Sequence, residues 1–203
     1  MLTDKARRWS AGILTPIARG LSALGLSPDA LTVLGLLFNI VVAYVLSWGP
    51  GWWGSGALLL ILASIFDAFD GAVARLTNRV TSFGAFLDST LDRLSEASIY
   101  LGLLYWYITT TPPHTLEPVL IYLTIVGSIM VSYTRARAEG LGLQMKEGWF
   151  TRLERMIVVI VGLAVSAYDE RLMQVVLLAL ALGTNITVVQ RILSTRRKLG
   201  NRE

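Results

Sequence analysis

Long apolar runs separated by short polar segments are the main pattern along this chain. A transmembrane helix needs about 20 mostly apolar residues to cross about 30 Å of hydrocarbon. Six segments approach this description, at residues 30–48, 54–66, 83–108, 116–130, 156–168 and 172–189. Several of them become polar at one end. The pattern predicts an all-α integral membrane protein with six transmembrane helices.

The segment before the first apolar run combines apolar residues at helical spacing with basic residues. The apolar set is Trp9, Ile13, Leu14, Ile17, Leu21 and Leu24, and the basic set is Lys5, Arg8 and Arg19. This pattern is typical of an amphipathic helix that lies in the membrane interface. We expect a cytoplasmic interfacial helix in residues 1–28, followed by a six-helix membrane domain in residues 29–203.

The composition agrees with a membrane protein and removes several kinds of chemistry. Of the 203 residues, 54% are hydrophobic and 16% are charged, and the mean hydropathy is +0.58. Soluble domains carry about 25% charged residues. The absence of cysteine excludes disulfides, zinc–thiolate sites and thiol nucleophiles. The single histidine leaves little room for a histidine-based metal site.

The positions of the basic residues predict the orientation. With six spans, 17 of the 18 lysines and arginines fall on one face, and Arg171 falls on the other. Under the positive-inside rule that face is cytoplasmic, with both termini inside the cell. The positive charge thus reflects a multi-pass protein of the cell membrane, and we expect no nucleic-acid partner. Aromatic residues near the opposite face predict an outer aromatic belt: Trp48, Trp52, Trp53, Tyr105, Trp106 and Tyr107.

Four aspartates lie where the second and third apolar runs meet the cytoplasmic side. Asp67 and Asp70 are three residues apart, and Asp88 and Asp92 are four apart, so each pair shares one helix face. The connection at 76–82 is short enough for the two helices to be antiparallel neighbours with a common carboxylate cluster. Such a cluster needs a cation to stay ionised, and oxygen ligands suit Mg²⁺, Mn²⁺ or Ca²⁺.

Small and basic residues surround these aspartates. The small ones leave room for a bulky group beside the backbone: Gly71, Ala74 and Gly84. The basic ones could neutralise part of the negative charge: Arg75, Arg79 and Arg93. In the alternative interpretation, the aspartates are interfacial residues that only pair with these arginines. That alternative explains neither the spacing nor the small residues.

The spacing D-x2-D-G-x2-A-R-x8-G-x3-D-x3-D resembles the signature of the CDP-alcohol phosphatidyltransferase family. Every fixed position is filled, by Asp67, Asp70, Gly71, Ala74, Arg75, Gly84, Asp88 and Asp92. The resemblance extends over nearly the whole chain. It implies an enzyme that transfers a phosphatidyl group from a CDP-linked lipid to an alcohol and releases CMP.

The resemblance also implies roles for individual residues. Asp67, Asp70 and Asp88 are expected to hold Mg²⁺ or Mn²⁺, two ions in all, at the pyrophosphate. Asp92 is expected to be the general base for the acceptor hydroxyl and a further metal ligand. The CDP-lipid is expected to contact Asp70, Gly71, Ala74, Arg75 and Gly84, together with Asp29 and Thr32. In the alternative interpretation of Asp29 and Thr32, they only cap the helix ahead of the first span and do not contact the nucleotide.

Arginines near the cytoplasmic ends of the last three runs bear on the acceptor. Arg135, Arg155 and Arg191 are expected at the same depth as the aspartates, where they could converge on a phosphate. An acceptor that already carries a phosphate would then be favoured. The alternative is positive-inside topology with anionic lipid binding, to which we assign Arg196, Arg197 and Lys198.

Within the family, the chain resembles the phosphatidylinositol-phosphate synthase branch, whose acceptor is inositol 1-phosphate. The similar segments are D-S-T-L-D-R, S-Y-x-R-A-R-A-E and the Q-R that ends the sixth run. Phosphatidylglycerol-phosphate synthases, which accept glycerol 3-phosphate, more often carry proline and lysine in place of Ser89 and Arg93. One departure is that the inositol branch often has an acid and a proline where this chain has Thr151 and Leu153.

Two further alternatives remain open at this point. An archaetidylinositol phosphate synthase that uses CDP-archaeol would have much the same sequence. The family resemblance implies a homodimer. A cation transporter also uses intramembrane carboxylates, although it more often places them near the midplane than at one end of the helices.

Overall fold

The computed structural model describes residues 16–112 and 114–200, and the part of the chain that it describes is helical, without strands. Helical residues 16–23 form α1. Six longer helices follow: α2 (Pro28–Leu46), α3 (Pro50–Leu76), α4 (Ser82–Thr109), α5 (Leu116–Gly140), α6 (Arg152–Ser166) and α7 (Arg171–Gly200). The all-α prediction is confirmed. The part of the predicted interfacial helix before residue 16 lies outside the described residues.

Each predicted apolar run corresponds to one of these six helices, but three helices extend far beyond the ends of their runs. The helices α3, α5 and α7 each continue for ten or more residues beyond the last residue of the run, to Leu76, Gly140 and Gly200. These extensions carry Asp67, Asp70, Arg135 and Arg191. The polar ends of the runs are therefore helical, which gives their side chains fixed positions.

Four helices among the described residues are long and apolar enough to cross a membrane: α2, α3, α5 and α7. The helix α4 has 28 residues, but Asp88, Asp92 and Arg93 lie in its first half. The helix α6 has 15 residues, or about 22 Å at 1.5 Å per residue, which is short of the hydrocarbon thickness. The chain is thus a multi-pass helical membrane protein, and the prediction of six spans goes beyond what length and apolarity establish.

The described residues form two compact units, and α2, α3 and α4 each contribute to both. The first unit contains residues 16–42 and 59–99, and the second contains residues 43–58, 100–112 and 114–200. In the first unit, α1 packs on α2 and α3 through a small core made of Ala18, Leu31, Ala72 and Val73, with Leu21, Leu26 and Phe66 against it. The described part of the predicted interfacial helix therefore has one buried face.

A tight turn joins α3 to α4 in the first unit. Asn78 adopts a left-handed conformation with φ of 53°, and the amide of Arg79 donates to the carbonyl of Ala74 at 2.9 Å. The hydrogen bond caps the carboxyl end of α3, and asparagine is among the residues that adopt the left-handed conformation at this position. The hydroxyl of Thr81 then accepts from the amide of Gly84 at 2.9 Å and caps α4. The turn places the polar ends of α3 and α4 side by side.

In the second unit, α7 packs against both α5 and α6. The aromatic residues of this unit correct the belt prediction. Trp48, Trp52 and Tyr105 are exposed, whereas Trp53 and Tyr107 are 0% and 2% exposed. The indole of Trp53 donates to the carbonyl of Leu46 at 3.2 Å, so these two aromatic residues belong to the core and not to a belt.

Candidate active site

A cleft of about 310 Å³ opens in the first unit between the start of α2, the end of α3 and the start of α4. Eight residues that the sequence predicts for the site line this cleft: Asp29, Thr32, Asp70, Gly71, Ala74, Arg75, Gly84 and Asp88. Arg79 and Thr81 of the α3–α4 turn complete one side of it. The cleft therefore contains every residue predicted to bind the CDP-lipid.

Thr32 fixes one of the aspartates across the cleft. Its hydroxyl lies 2.9 Å from Oδ2 of Asp70 and 3.1 Å from the carbonyl of Pro28. The other oxygen of Asp70 accepts from the amide of Gly71. The cap of α2 is provided by Ser27, which accepts from the amide of Ala30 at 3.1 Å. The cap alternative therefore does not account for Thr32, which holds Asp70 instead.

Gly35 is a neighbour of Asp67 that the sequence analysis missed. It is buried in α2, and a Cβ at this position would lie 2.7 Å from Oδ1 of Asp67. Asp67 therefore rests against bare backbone, and any side chain at residue 35 would displace its carboxylate. A single glycine in an apolar helix carries no sequence signal for such a contact.

The two motif glycines that line the cleft leave space on its walls. A Cβ on Gly71 would lie 3.2 Å from a guanidinium nitrogen of Arg75. A Cβ on Gly84 would lie 3.1 Å from the hydroxyl of Thr81 and 3.3 Å from Oδ1 of Asp29. All three distances are tighter than ordinary carbon contacts. The absence of side chains at Gly71 and Gly84 thus leaves Arg75 and Asp29 room at the walls of the cleft.

Asp92 lies one helical turn beyond Asp88 and is not part of the cleft lining. Its side chain is 18% exposed, and its Oδ2 is 3.8 Å from a guanidinium nitrogen of Arg93. The same nitrogen of Arg93 donates to the carbonyl of Ser89. One more turn along α4, Glu96 is buried at 5% exposure. Residues 88–96 of α4 thus carry three acidic residues at intervals of four.

The carboxylates of the described aspartates are near one another, but they do not surround one common metal position. Among residues 16–112 and 114–200, no group of three or more acidic or histidine side chains is close enough to hold a metal ion directly. The charges of Asp67 and Asp88 nevertheless both act on the carboxylate of Asp70, and repulsion keeps such groups apart. The oxygen-only donor set fits a hard divalent cation, which would offset this repulsion.

The three predicted arginines form a cluster in the second unit. Arg155 and Arg191 are 2% and 4% exposed, whereas Arg135 is exposed. The charges of Arg135 and Arg155 both act on Arg191. Buried guanidinium groups that are close together are costly unless an anion or several carbonyls offset their charge. The cluster is therefore suited to binding an anion.

Each arginine of the cluster has a defined orientation. Arg191 donates from Nε to the carbonyl of Glu147 at 3.0 Å, and from a terminal nitrogen to the carbonyl of Val131. A terminal nitrogen of Arg155 donates to the carbonyl of Phe150 at 3.3 Å. Arg135 pairs with Glu139 at 2.9 Å and borders a pocket of about 480 Å³. Arg155 and Arg191 do not line that pocket.

Two residues near the cluster, Lys198 and Thr151, have defined structural contacts. Lys198, which the sequence predicts to be membrane-surface charge, also pairs with Glu147 at 2.6 Å and therefore has a structural contact. Thr151, the departure from the inositol branch, begins α6 in a capping box with Glu154. The amide of Thr151 donates to Oε2 of Glu154 at 2.8 Å. Threonine at this position is thus accounted for by helix capping.

Comparison with known proteins identifies a family and several similar sequences. Residues 25–187 match the model of a family described as CDP-alcohol phosphatidyltransferase. The phosphatidylinositol phosphate synthase of Mycobacterium tuberculosis is 38% identical, over 90% of this chain and 85% of the relative. The archaetidylinositol phosphate synthase of Pyrococcus horikoshii is 33% identical, over 92% of this chain and 92% of the relative.

Crystal structures of the Mycobacterium tuberculosis phosphatidylinositol phosphate synthase have a similar fold. The structure with CDP-DAG bound has a TM-score of 0.84 and 37% identity, and the match covers 91% of this chain and 94% of that one. The structure in complex with manganese and citrate has a TM-score of 0.82 and 37% identity, with 90% and 88% covered.

Proposed function

The chain belongs to the CDP-alcohol phosphatidyltransferase family and is an enzyme of that class, and from this premise we propose its reaction. It transfers the phosphatidyl group of CDP-diacylglycerol to inositol 1-phosphate, which releases CMP and forms phosphatidylinositol phosphate. The observation that carries the proposal is the cleft in the first unit, whose lining contains all seven residues expected at the CDP-lipid. The cation-transporter alternative is set aside by the family membership.

The cleft binds the CDP part of the donor lipid. Arg75 supplies positive charge for the pyrophosphate, and Gly71, Ala74 and Gly84 leave room for the nucleotide beside the backbone. Asp29 and Thr32 contact the nucleotide from α2. The relative crystallised with CDP-DAG supports this donor, because the two folds match over most of both chains.

The aspartates hold the divalent ions at the pyrophosphate. Asp67, Asp70 and Asp88 are the ligands, with Asp92 as a further one, and two ions of Mg²⁺ or Mn²⁺ are bound. When bound, these ions neutralise negative charge on the pyrophosphate and on the leaving CMP. The relative crystallised in complex with manganese supports a divalent cation of this kind.

Asp92 is the general base of the transfer. Its carboxylate takes the proton from the acceptor hydroxyl, whose oxygen then attacks the phosphorus that carries the diacylglycerol group. The new bond joins the acceptor oxygen to that phosphorus, and the bond between the phosphorus and the oxygen of CMP breaks. Thr32, through its bond to Asp70, keeps one of the neighbouring carboxylates in place.

The phosphate of the acceptor binds to Arg135, Arg155 and Arg191. Two of these guanidinium groups are buried, where pairing with an anion offsets the cost of burying their charge, and the phosphate of inositol 1-phosphate is such an anion. The similarity to an archaetidylinositol phosphate synthase favours one alternative, in which the donor is CDP-archaeol and the acceptor is the same. In the other alternative, glycerol 3-phosphate is the acceptor.

The arrangement in the membrane is also part of the proposal. The chain has six spans, both termini lie in the cytoplasm, and the active site opens on the cytoplasmic side. The positive-inside distribution supports this orientation. The family resemblance supports a homodimer.

The acceptor is tested by parallel assays of CMP release. Purified protein in liposomes receives CDP-diacylglycerol and Mn²⁺ with inositol 1-phosphate, glycerol 3-phosphate, free inositol or serine. We expect CMP release with inositol 1-phosphate alone. Release with glycerol 3-phosphate instead would contradict the proposed acceptor and leave the aspartate mechanism intact. A CDP-archaeol series separates the two donors.

Replacing Thr32 by valine is expected to lower kcat/KM for CDP-diacylglycerol by about tenfold. Valine has nearly the same shape but lacks the hydroxyl that holds Asp70, and a hydrogen bond to a charged group contributes roughly 1.5–3 kcal/mol. Steady-state CMP release at varied donor concentration measures the change. Thr32→Ser keeps the hydroxyl and serves as the matched control, with near wild-type values expected. Equal loss in both variants would argue against the role of the hydroxyl.

Replacing Gly35 by alanine is expected to raise the Mn²⁺ concentration for half-maximal activity by about tenfold. This is the lower end of the loss in metal affinity that follows substitution of residues that orient metal ligands. The added Cβ displaces the Asp67 carboxylate, which can turn aside, so the fold is retained. Activity across a manganese titration measures the effect. Gly51→Ala in α3 is the control, because a Cβ there meets open space. An unchanged manganese requirement in Gly35→Ala would contradict a metal-ligating role of Asp67.

A further inference from the structure

The loop between α5 and α6, residues 141–151, lies directly on α7 around Arg191. The carbonyl of Glu147 accepts from Nε of Arg191 at 3.0 Å. The next residue, Gly148, has a φ of 101°, and a Cβ there would lie 2.7 Å from Cγ2 of Thr187 and 3.1 Å from Nε of Arg191. The close approach requires glycine. The loop backbone is thus in contact with α7 at the turn that carries Arg191.

Lys198 holds the same loop from a point two helical turns beyond Arg191. Its ammonium lies 2.6 Å from Oε1 of Glu147 and donates to the carbonyl of Gln144, also at 2.6 Å. Glu147 is therefore bound at its carboxylate by Lys198 and at its carbonyl by Arg191. The hydrogen bond from Lys198 lowers the pKa of Glu147 to about 2, so this carboxylate stays ionised near neutral pH.

We propose that Lys198 and Glu147 are positioning residues that orient Arg191 for the phosphate of the acceptor. Arg191 is held by two backbone carbonyls, and the position of one of them depends on the Lys198–Glu147 ion pair. A guanidinium group binds phosphate through a planar pair of donors, so a small rotation weakens the contact. The inference rests on the proposed function, in which Arg191 binds that phosphate.

The test compares Lys198→Met with wild type in the full-length protein. Methionine keeps an extended side chain but removes the ammonium. We expect KM for inositol 1-phosphate to rise about fivefold, the scale of one solvent-accessible ion pair, while kcat and KM for CDP-diacylglycerol stay within about twofold. Glu147→Gln is expected to behave in the same way. Lys198→Arg keeps the charge and the donors, and it should restore most of the acceptor affinity.

Arg197→Met is the matched control, because Arg197 is the exposed neighbour of Lys198 on the same helix. This variant removes one positive charge from the same turn, and its KM values are expected to equal those of wild type. If Arg197→Met raised KM for inositol 1-phosphate as much as Lys198→Met does, general surface charge would explain the effect and the proposed positioning role would be wrong.

Calorimetric titration with inositol 1-phosphate, which needs no turnover, separates failure of the inference from failure of the proposed function. We expect wild type to bind and Lys198→Met to bind about fivefold more weakly. Equal affinity in the two proteins would overturn the positioning role and leave the proposed function standing. Absence of both binding and CMP release in wild type would overturn the proposed function, and the inference would fall with it.

Discussion

Asp92→Asn is expected to lower kcat by about 1,000-fold while the affinity for CDP-diacylglycerol stays within about threefold. Asparagine has nearly the same size as aspartate but cannot take the proton from the acceptor hydroxyl, and general-base catalysis contributes about 10²–10⁴-fold. Asp92 lies outside the lining of the cleft in the first unit, and Asp67, Asp70 and Asp88 remain in the variant to hold the ions, so donor binding is expected to change little. Steady-state CMP release and a separate donor-binding titration measure the two quantities.

The control for this variant is Asp169→Asn, which removes a carboxylate from the exposed turn before α7. Its kcat is expected to match wild type. A second readout is the pH profile, since the loss in Asp92→Asn should shrink at high pH, where hydroxide deprotonates more of the acceptor. Full activity of Asp92→Asn at neutral pH would remove Asp92 from the mechanism.

Arg191→Lys is expected to raise KM for inositol 1-phosphate by about 30-fold, with KM for CDP-diacylglycerol unchanged. Lysine keeps the positive charge but loses the planar pair of donors that suits a phosphate. It also loses the bonds to the carbonyls of Glu147 and Val131. Acceptor titrations measure the effect, and the elution volume on size exclusion verifies that the variant is folded.

Arg197→Lys provides the matched substitution on an exposed position of the same helix, and it should leave both KM values unchanged. Arg155→Lys tests the cluster a second time, at the start of α6. We expect it to raise KM for the acceptor as well, because Arg155 is also buried near Arg191. An acceptor KM equal to wild type in both Arg191→Lys and Arg155→Lys would refute phosphate binding by the cluster.

Most of the cleft in the first unit could be predicted from the sequence because its residues are close together along two helices. Asp70 to Arg75 lie on consecutive turns of α3, and Gly84 and Asp88 lie on the next helix after a short turn. Helical spacing converts such distances along the chain into a shared face. Thr32 could be placed in the cleft only by the family resemblance, because its contact with Asp70 joins residues that are far apart in the sequence.

Other features of the site depend on packing that no local pattern records. Gly35 contacts Asp67 through the absence of a side chain, and nothing in the surrounding apolar run marks that contact. The pairing of Lys198 with Glu147 joins a helix to a loop without periodicity. For the same reason Lys198 could not be told apart from its neighbours Arg196 and Arg197 by sequence alone.

The helical fold could be predicted from the sequence, but the ends of the helices and the burial of two aromatic residues could not. Long apolar runs mark helices because the backbone groups of a segment in the membrane must hydrogen-bond within the protein, and a helix satisfies them within the segment itself. They do not mark the ends of helices that continue into polar sequence, as α3 does from Phe66 to Leu76. Nor do they separate a residue of an aromatic belt from one of the core, so Trp53 and Tyr107 were assigned to the wrong surroundings.

The most direct test of the central claim identifies both products of one reaction. Purified protein in liposomes is incubated with CDP-diacylglycerol, Mn²⁺ and inositol 1-phosphate, and mass spectrometry follows the nucleotide and the lipid. We predict that CMP and phosphatidylinositol phosphate form in equal amounts, and that Asp92→Asn forms neither at a comparable rate. CMP accompanied by phosphatidic acid, or a donor lipid that stays unchanged, would contradict phosphatidyl transfer from CDP-diacylglycerol to inositol 1-phosphate by this site.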